Sequence, residues 1–103
     1  MAQIIYSAPA LADLERIYRT LDEDDATLAA NSVGMIRRAI RELGERPLLG
    51  RPAESDLREL AVSRGRTGYV VLYRVLELDD AVLVVAIRHR HESGYPDPGQ
   101  SGA

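Results

Sequence analysis

The segment Tyr69-Val70-Val71-Leu72-Tyr73-Arg74-Val75-Leu76 constrains this chain more than any other. β-Branched, aromatic and leucine side chains fill every position but Arg74, the composition of a strand. Successive strand residues face opposite sides of a sheet. Tyr69, Val71, Tyr73 and Val75 therefore share one face, and Val70, Leu72 and Leu76 share the other with Arg74. After a turn at Asp79-Asp80 the chain returns antiparallel over Ala81 to His89. That strand is apolar on both faces as well, with Val82, Val84 and Ala86 against Leu83, Val85 and Ile87. A hairpin greasy on both sides is no surface ribbon. Something must cover each face.

The preceding residues supply one cover. Gln3 to Tyr6 reads as a short edge or second strand. Ser7 offers an N-cap oxygen, and Pro9 fits the first turn of a helix. Leu11, Leu14, Ile17, Tyr18 and Leu21 follow at three- and four-residue spacing. The acidic cluster Asp22 to Asp25 breaks this helix and sits favourably at the start of a second, capped by Asp25 or Thr27. The second helix carries Val33, Ile36, Ile40 and Leu43 on one side. Arg37, Arg38 and Arg41 lie on another as a solvent face, with Arg38 and Glu42 as a surface pair. Gly44 and Pro47 end it. Residues 46–56 look like a loop in which Gly50-Arg51-Pro52 is a rigid turn. Leu57 to Ser63 is a further strand, and Gly65 and Gly68 flank the next turn.

The order is β-α-α-β-β-β. It predicts an α+β fold, an antiparallel helical hairpin packed on a small, mainly antiparallel sheet. Residues 1–95 form a single domain and 96–103 a flexible tail, rich in proline and glycine. Both helices lie in one connection, so together they cover one sheet face. The opposite face then marks a partner site, unless the 46–56 loop or the tail folds over it, or the sheet curls around it.

Composition narrows the function. The chain has 103 residues, 46% of them hydrophobic and 28% charged, which suits a folded domain rather than a disordered chain. Without cysteine, disulfides, thiolate zinc sites and thiol catalysis are excluded. The longest apolar run, Ala81 to Ile87, is far too short to span a membrane. The opening residues have no basic region of a secretory signal, so a cytoplasmic protein is expected. A net charge of −3 argues against a general electrostatic grip on nucleic acid. All 13 basic residues are arginine, through codon bias or through a demand for planar anion recognition. Arg58, Arg64, Arg66 and Arg74 against the single acid Glu59 put any anion-seeking surface in the second half.

Several motifs now stand in sequence: Tyr6-Ser7-x-x-Ala10-x-x-Asp13-Leu14-x-x-Ile17, Pro47-x-x-Gly50-Arg51-Pro52 and Leu57-Arg58-Glu59-Leu60. Gly68-Tyr69-Val70-Val71-Leu72-Tyr73-Arg74-Val75 and Ala86-Ile87-Arg88-His89-Arg90-His91-Glu92-x-Gly94-Tyr95 follow. In this order and spacing they resemble the RelE/ParE superfamily of bacterial toxins, each encoded beside a neutralising antitoxin, and the resemblance spans Ile4 to Tyr95. It implies the same helical hairpin on a sheet. One branch of that superfamily cuts messenger RNA on the ribosome; the other poisons DNA gyrase and has no established catalytic residues.

Cutting RNA needs a base for the ribose 2′-hydroxyl, cations for the strained phosphate and an acid for the leaving oxygen. Where RelE-type relatives carry an arginine after the Gly-Tyr pair, this chain has Val70. Their strand lysines fall on Ala61 and Ser63, and a later arginine falls on His89; only Tyr95 is retained. The resemblance therefore favours the ParE branch: a toxin of a type II module for plasmid stabilisation or growth control, inhibiting gyrase, rather than a RelE-type enzyme. The alternatives are a ribosome-dependent endoribonuclease using Arg88, His89, Arg90, His91 and Tyr95, and a non-toxic interaction module. His89 and His91 could also hold a metal, but no third ligand is placed, and no cofactor is implied. Tyr69 and Tyr73 are either core aromatics or a base-stacking pair. Arg58 and Glu59 form a structural or rim pair, and Arg74 needs a carboxylate from its own chain or a partner.

The expected main partner is a cognate antitoxin, seated on Val70, Leu72, Arg74 and Leu76, through which the complex could bind operator DNA. Gyrase or the ribosome would meet Arg58, Arg64, Arg66, Arg88 and Arg90. No membrane contact is expected.

Overall fold

Both helices begin where the sequence offers a cap. The computed structural model describes residues 1–64 and 67–90; the proposed tail lies outside the described residues. After β1 (Gln3–Tyr6), the Ser7 hydroxyl oxygen accepts the Ala10 N–H at 3.1 Å and opens α1 (Ala8–Asp22), with a proline in its first turn. Asp25, rather than Thr27, caps α2 (Ala26–Glu45), its carboxylate accepting the Leu28 N–H at 3.0 Å. Then come β2 (Arg51–Pro52), β3 (Leu57–Arg64), β4 (Thr67–Leu76) and β5 (Ala81–His89). The sheet order is β1-β5-β4-β3-β2, with β1 parallel to β5 and every other pair antiparallel. The expected order is thus met, with one addition: β2 forms inside the stretch read as a loop, pairing Arg51 with Glu59.

Both helices cover the same sheet face. Ala10, Leu14 and Ile17 of α1 and Ile36 and Ile40 of α2 close over Val62, Tyr69, Val71, Val84 and Ile87. At about 25 cal/mol per Å² of apolar surface, this layer is the main term holding the fold. Leu11 and Tyr18 do not join it; they are 51% and 41% exposed, flanking a stripe centred on Ala10, Leu14, Ile17 and Leu21. Tyr69 and Tyr73 are both buried, which makes them core aromatics and removes them from any base-stacking surface.

Strand β5 departs from the alternation expected of it. Leu72 pairs with Ala86 but Tyr73 pairs with Val84, so Val85 is an extra residue, a β-bulge. The phase reverses there. Ile87 joins Val84 in the core, and Ala86 turns to the other face, contrary to a simple period of two. Just past the end of β1, α1 meets the backbone groups of this stretch. The Ser7 hydroxyl donates to the Val85 carbonyl at 3.1 Å, and the Asp13 carboxylate accepts the Ile87 N–H at 2.9 Å.

A second, smaller core joins Ala2, Leu43, Tyr73 and Val82. The Tyr73 hydroxyl donates to the Pro47 carbonyl at 2.7 Å and accepts the Gly50 N–H at 2.8 Å. Gly50 itself must lack a side chain, since a Cβ there would lie 2.6 Å from the Glu59 carbonyl oxygen. Gly44 is not the helix stop expected of it. It lies inside α2, where its carbonyl accepts the Ala2 N–H at 2.7 Å and a Cβ would come within 2.9 Å of the Ala2 oxygen. Close approach of β1, not termination, explains this glycine. The surface pair also differs: Glu42 takes Arg46 at 3.2 Å rather than Arg38.

Candidate functional site

Register builds the face turned away from the helices row by row. Leu57, Arg74, Leu83 and Ile5 form the first row, and Glu59, Leu72 and Ala86 the second. Ala61, Val70 and Arg88 form the third, followed by Ser63 and Gly68. The expected partner residues Val70, Leu72, Arg74 and Leu76 do share this face. They are not equally open. Val70 is 4% exposed and Ala86 6%, while Leu72, Arg74 and Leu76 are half-buried. The accessible apolar ground is therefore centred on Leu72, Leu76, Leu83 and Ile5 rather than on Val70.

Ion pairs border that ground. Arg74 finds its carboxylate within its own chain, with Nε 3.0 Å from Asp56 Oδ1. Arg51 reaches Glu59 at 2.8 Å across the β2–β3 pairing. Arg58 does not pair with Glu59, because neighbours on a strand point to opposite faces. It turns to the helix side and donates to the Gly50 carbonyl.

The far end of the face is basic. Arg88 pairs with Val70 in the ladder, and the Arg90 N–H donates to the Gly68 carbonyl at 2.9 Å. The Arg90 side chain lies over Gly68, its Cδ 3.4 Å from where a Cβ would be. Arg88 and Arg90 thus share the outer face with Ala61 and Ser63, both exposed. His89 points the other way. Its ring meets that of Tyr69 edge-on, centroids 5.3 Å apart, on the helix side of the sheet. The imidazole and the two guanidinium groups therefore do not converge on one point, as a base and its phosphate clamp would have to. Arg58 does not join them either, lying on the opposite face and several residues nearer the other end of the strands. Of the remaining expected residues, Arg64 lies on β3, where its backbone pairs with Thr67. Arg66, His91 and Tyr95 fall outside the described residues.

Two features escaped the sequence reading. Asp13 looked like part of a helix motif, yet it serves the bulge in β5; the available signal was an acid three residues after Ala10 and four before Ile17, beside the buried stripe. Arg37 and Arg41 are solvent-exposed as expected, and they also flank Tyr6. The Arg37 guanidinium sits 5.9 Å from the Tyr6 ring centroid, within cation–π range. Burial raises the Tyr6 pKa above 10.0, with Arg37 and Arg41 pulling in the opposite direction.

Comparison with known proteins places these features in a family. A family described as "ParE toxin of type II toxin-antitoxin system, parDE" matches residues 4–94. Toxin RelE3 of Caulobacter vibrioides is 36% identical over 83 residues, covering 81% of this chain and 88% of that protein. Toxin RelE2 of the same organism is 36% identical over 89 residues, with 86% and 96% covered. Among solved structures, the chromosomal ParDE system from P. aeruginosa superposes with a TM-score of 0.73 at 22% identity, covering 86% of this chain and 96% of that one. The intact E. coli RelBE toxin–antitoxin complex gives 0.59 at 16% identity, with 85% and 95% covered. At such identities the structural likenesses speak for the fold.

Proposed function

Because this chain belongs to the ParE toxin family of type II toxin–antitoxin systems, we propose that it acts as a gyrase-directed, ParE-like toxin. It works in the cytoplasm and is held inactive by a cognate antitoxin. One observation carries this reading. Around Arg88 and Arg90 the neighbouring positions are Ala61, Ser63 and Val70, and His89 faces away. Among the described residues, such a face offers cations that can grip an anionic or acidic surface but no base beside them to deprotonate a ribose hydroxyl. Inhibition by binding demands only the grip. The antitoxin segment would lie over Leu72, Leu76, Leu83 and Ile5, with Arg74 and Asp56 at its rim; a segment that folds on binding can cover such a surface.

Supercoiling assays with purified protein test the proposal. Inhibition, or accumulation of cleaved DNA–gyrase complex, is expected, and it should weaken when Arg88 and Arg90 are both replaced by glutamine. Unaffected supercoiling at large toxin excess would refute it. The proximity of Arg88 and Arg90 also keeps a ribonuclease reading in play, since two guanidinium groups suit a phosphate clamp. Primer extension on translated messages after induction separates the two readings: cuts within codons at the ribosome would favour RNA cleavage.

A further inference from the structure

Strand β1 is the edge of the sheet, and its outer side lacks a strand among the described residues. The Gln3 N–H bonds Asp80 and the Ser7 N–H bonds Val84, at 2.9 and 3.0 Å. Strand parity therefore turns the N–H and C=O groups of Ile4 and Tyr6 outward. Directly beside them lies a groove of about 120 Å³, lined by Ile4, Tyr6, Arg37, Ile40 and Arg41.

The groove is chemically lopsided. Arg37 and Arg41, like Arg38, Arg58, Arg88 and Arg90, have no carboxylate partner among the described residues, whereas Arg16, Arg19, Arg46, Arg51 and Arg74 each have one. What sets Arg37 and Arg41 apart is that both line one groove. The Tyr6 hydroxyl, protonated at neutral pH like any ordinary phenol, adds a donor. Ile4 and Ile40 supply an apolar floor. Two cations, a phenol and an unpaired strand edge within one short stretch suit one kind of ligand.

We infer that the β1 edge and the Tyr6–Arg37–Arg41 groove form a docking site for an extended peptide segment of another polypeptide. The segment adds a strand beside β1 and places one acidic side chain between the two guanidinium groups. Main-chain hydrogen bonds to Ile4 and Tyr6 hold the strand, and the carboxylate sets its register, the usual division of labour in strand addition. This site is separate from the Arg88–Arg90 end and adjoins the Leu72–Leu83 ground only through Ile5 of β1, and it does not depend on which target the toxin has.

The test uses the full chain, ¹⁵N-labelled, titrated with a capped heptapeptide of alternating threonine and valine carrying a central glutamate, and with its glutamine counterpart. The glutamate peptide should shift the amide signals of Ile4 and Tyr6 and bind about tenfold more tightly than the glutamine peptide, the scale of a charge-assisted contact. In a variant with Arg37→Gln and Arg41→Gln, both exposed positions, the tenfold preference should vanish while melting stays unchanged. Equal binding of the two peptides, no binding, or shifts confined to other strands would overturn the inference. So would a short single-stranded oligonucleotide that shifts the same amides more strongly than the peptide, because the site would then be a phosphate groove.

Discussion

Replacing Tyr73 by phenylalanine removes a single oxygen from a fully buried ring, and its cost can be worked out. The hydroxyl makes two hydrogen bonds, 2.7 Å to the Pro47 carbonyl and 2.8 Å from the Gly50 N–H. Each bond contributes a net ~1 kcal/mol, and a buried donor left unpaired costs about 1–3 kcal/mol. The Gly50 N–H is such a donor, because Gly50 is packed against the Glu59 carbonyl and the Tyr73 ring. The Pro47 carbonyl lies on an outer loop and can turn to water, which offsets part of its loss. The sum is a destabilisation of about 2–3 kcal/mol. For a domain of this size that lowers Tm by roughly 10 °C or more. Urea unfolding followed by circular dichroism would measure it, with the midpoint falling and the slope constant. Hydrogen exchange should localise the damage to residues 46–50. A Tyr73→Phe variant within 0.5 kcal/mol of the parent would mean that this loop is not anchored by the hydroxyl, and the account of the second core would fail.

Three further outcomes follow from the same structure. Burial raises the pKa of Tyr73 above 10.0, opposed by the Gly50 hydrogen bond and by Arg58, and Tyr6 is raised as well. Above pH 10 the unfolded chain loses these protons before the folded one does, so stability present below pH 10 should fall as pH rises toward the folded values. With no lysine in the chain, that alkaline decline belongs to the tyrosines, and Tyr6→Phe should flatten it in pH-dependent denaturation. Asp13→Ala should cost about 1–2 kcal/mol by stripping the Ile87 N–H of its acceptor, while Asp13→Asn, which keeps an oxygen there, should cost less; equal losses in thermal melts would contradict the assignment. Leu72→Asp should weaken antitoxin binding, measured by calorimetry, with little loss of Tm. Val70→Asp, at a buried position, should lower Tm by itself, and a stable Val70→Asp protein would show that its burial is not needed.

Much of the architecture was legible because local chemistry and long-range packing agree. Ser7 and Asp25 are strong caps, and both cap helices here. Ala81 to His89 is bounded by a turn and by charge, and β5 has those very limits. The phase of β5 was not legible. Period-two reasoning needs a polar residue to tell one face from the other, and Val84, Val85, Ala86 and Ile87 are all apolar. What selects the bulge is a serine and an aspartate some eighty residues earlier in the chain. Gly44 misled for a related reason. A glycine near a helix end usually signals termination, and only the approach of Ala2 reveals its other use. Leu11 and Tyr18 fit the helical spacing, but spacing alone does not fix the centre of the stripe. At the candidate site, which residues share the outer face followed from alternation, whereas their exposure did not. Arg37 and Arg41 were invisible as a pair with Tyr6 because nothing in the spacing brings β1 beside α2.

The bulge at Val85 also decides which chemistry the last strand displays. Were Val85 drawn into the ladder as an ordinary strand residue, everything after it would rotate by half a turn about the strand axis. Ile87 and His89 would look outward, and Arg88 and Arg90 would be driven against the helices. Loss of the bulge would thus exchange a guanidinium rim for an imidazole one without altering any side chain, whereas deletion of Val85 would keep the present facing. Ser7 and Asp13 stand as the latch that holds the extra residue out of the ladder.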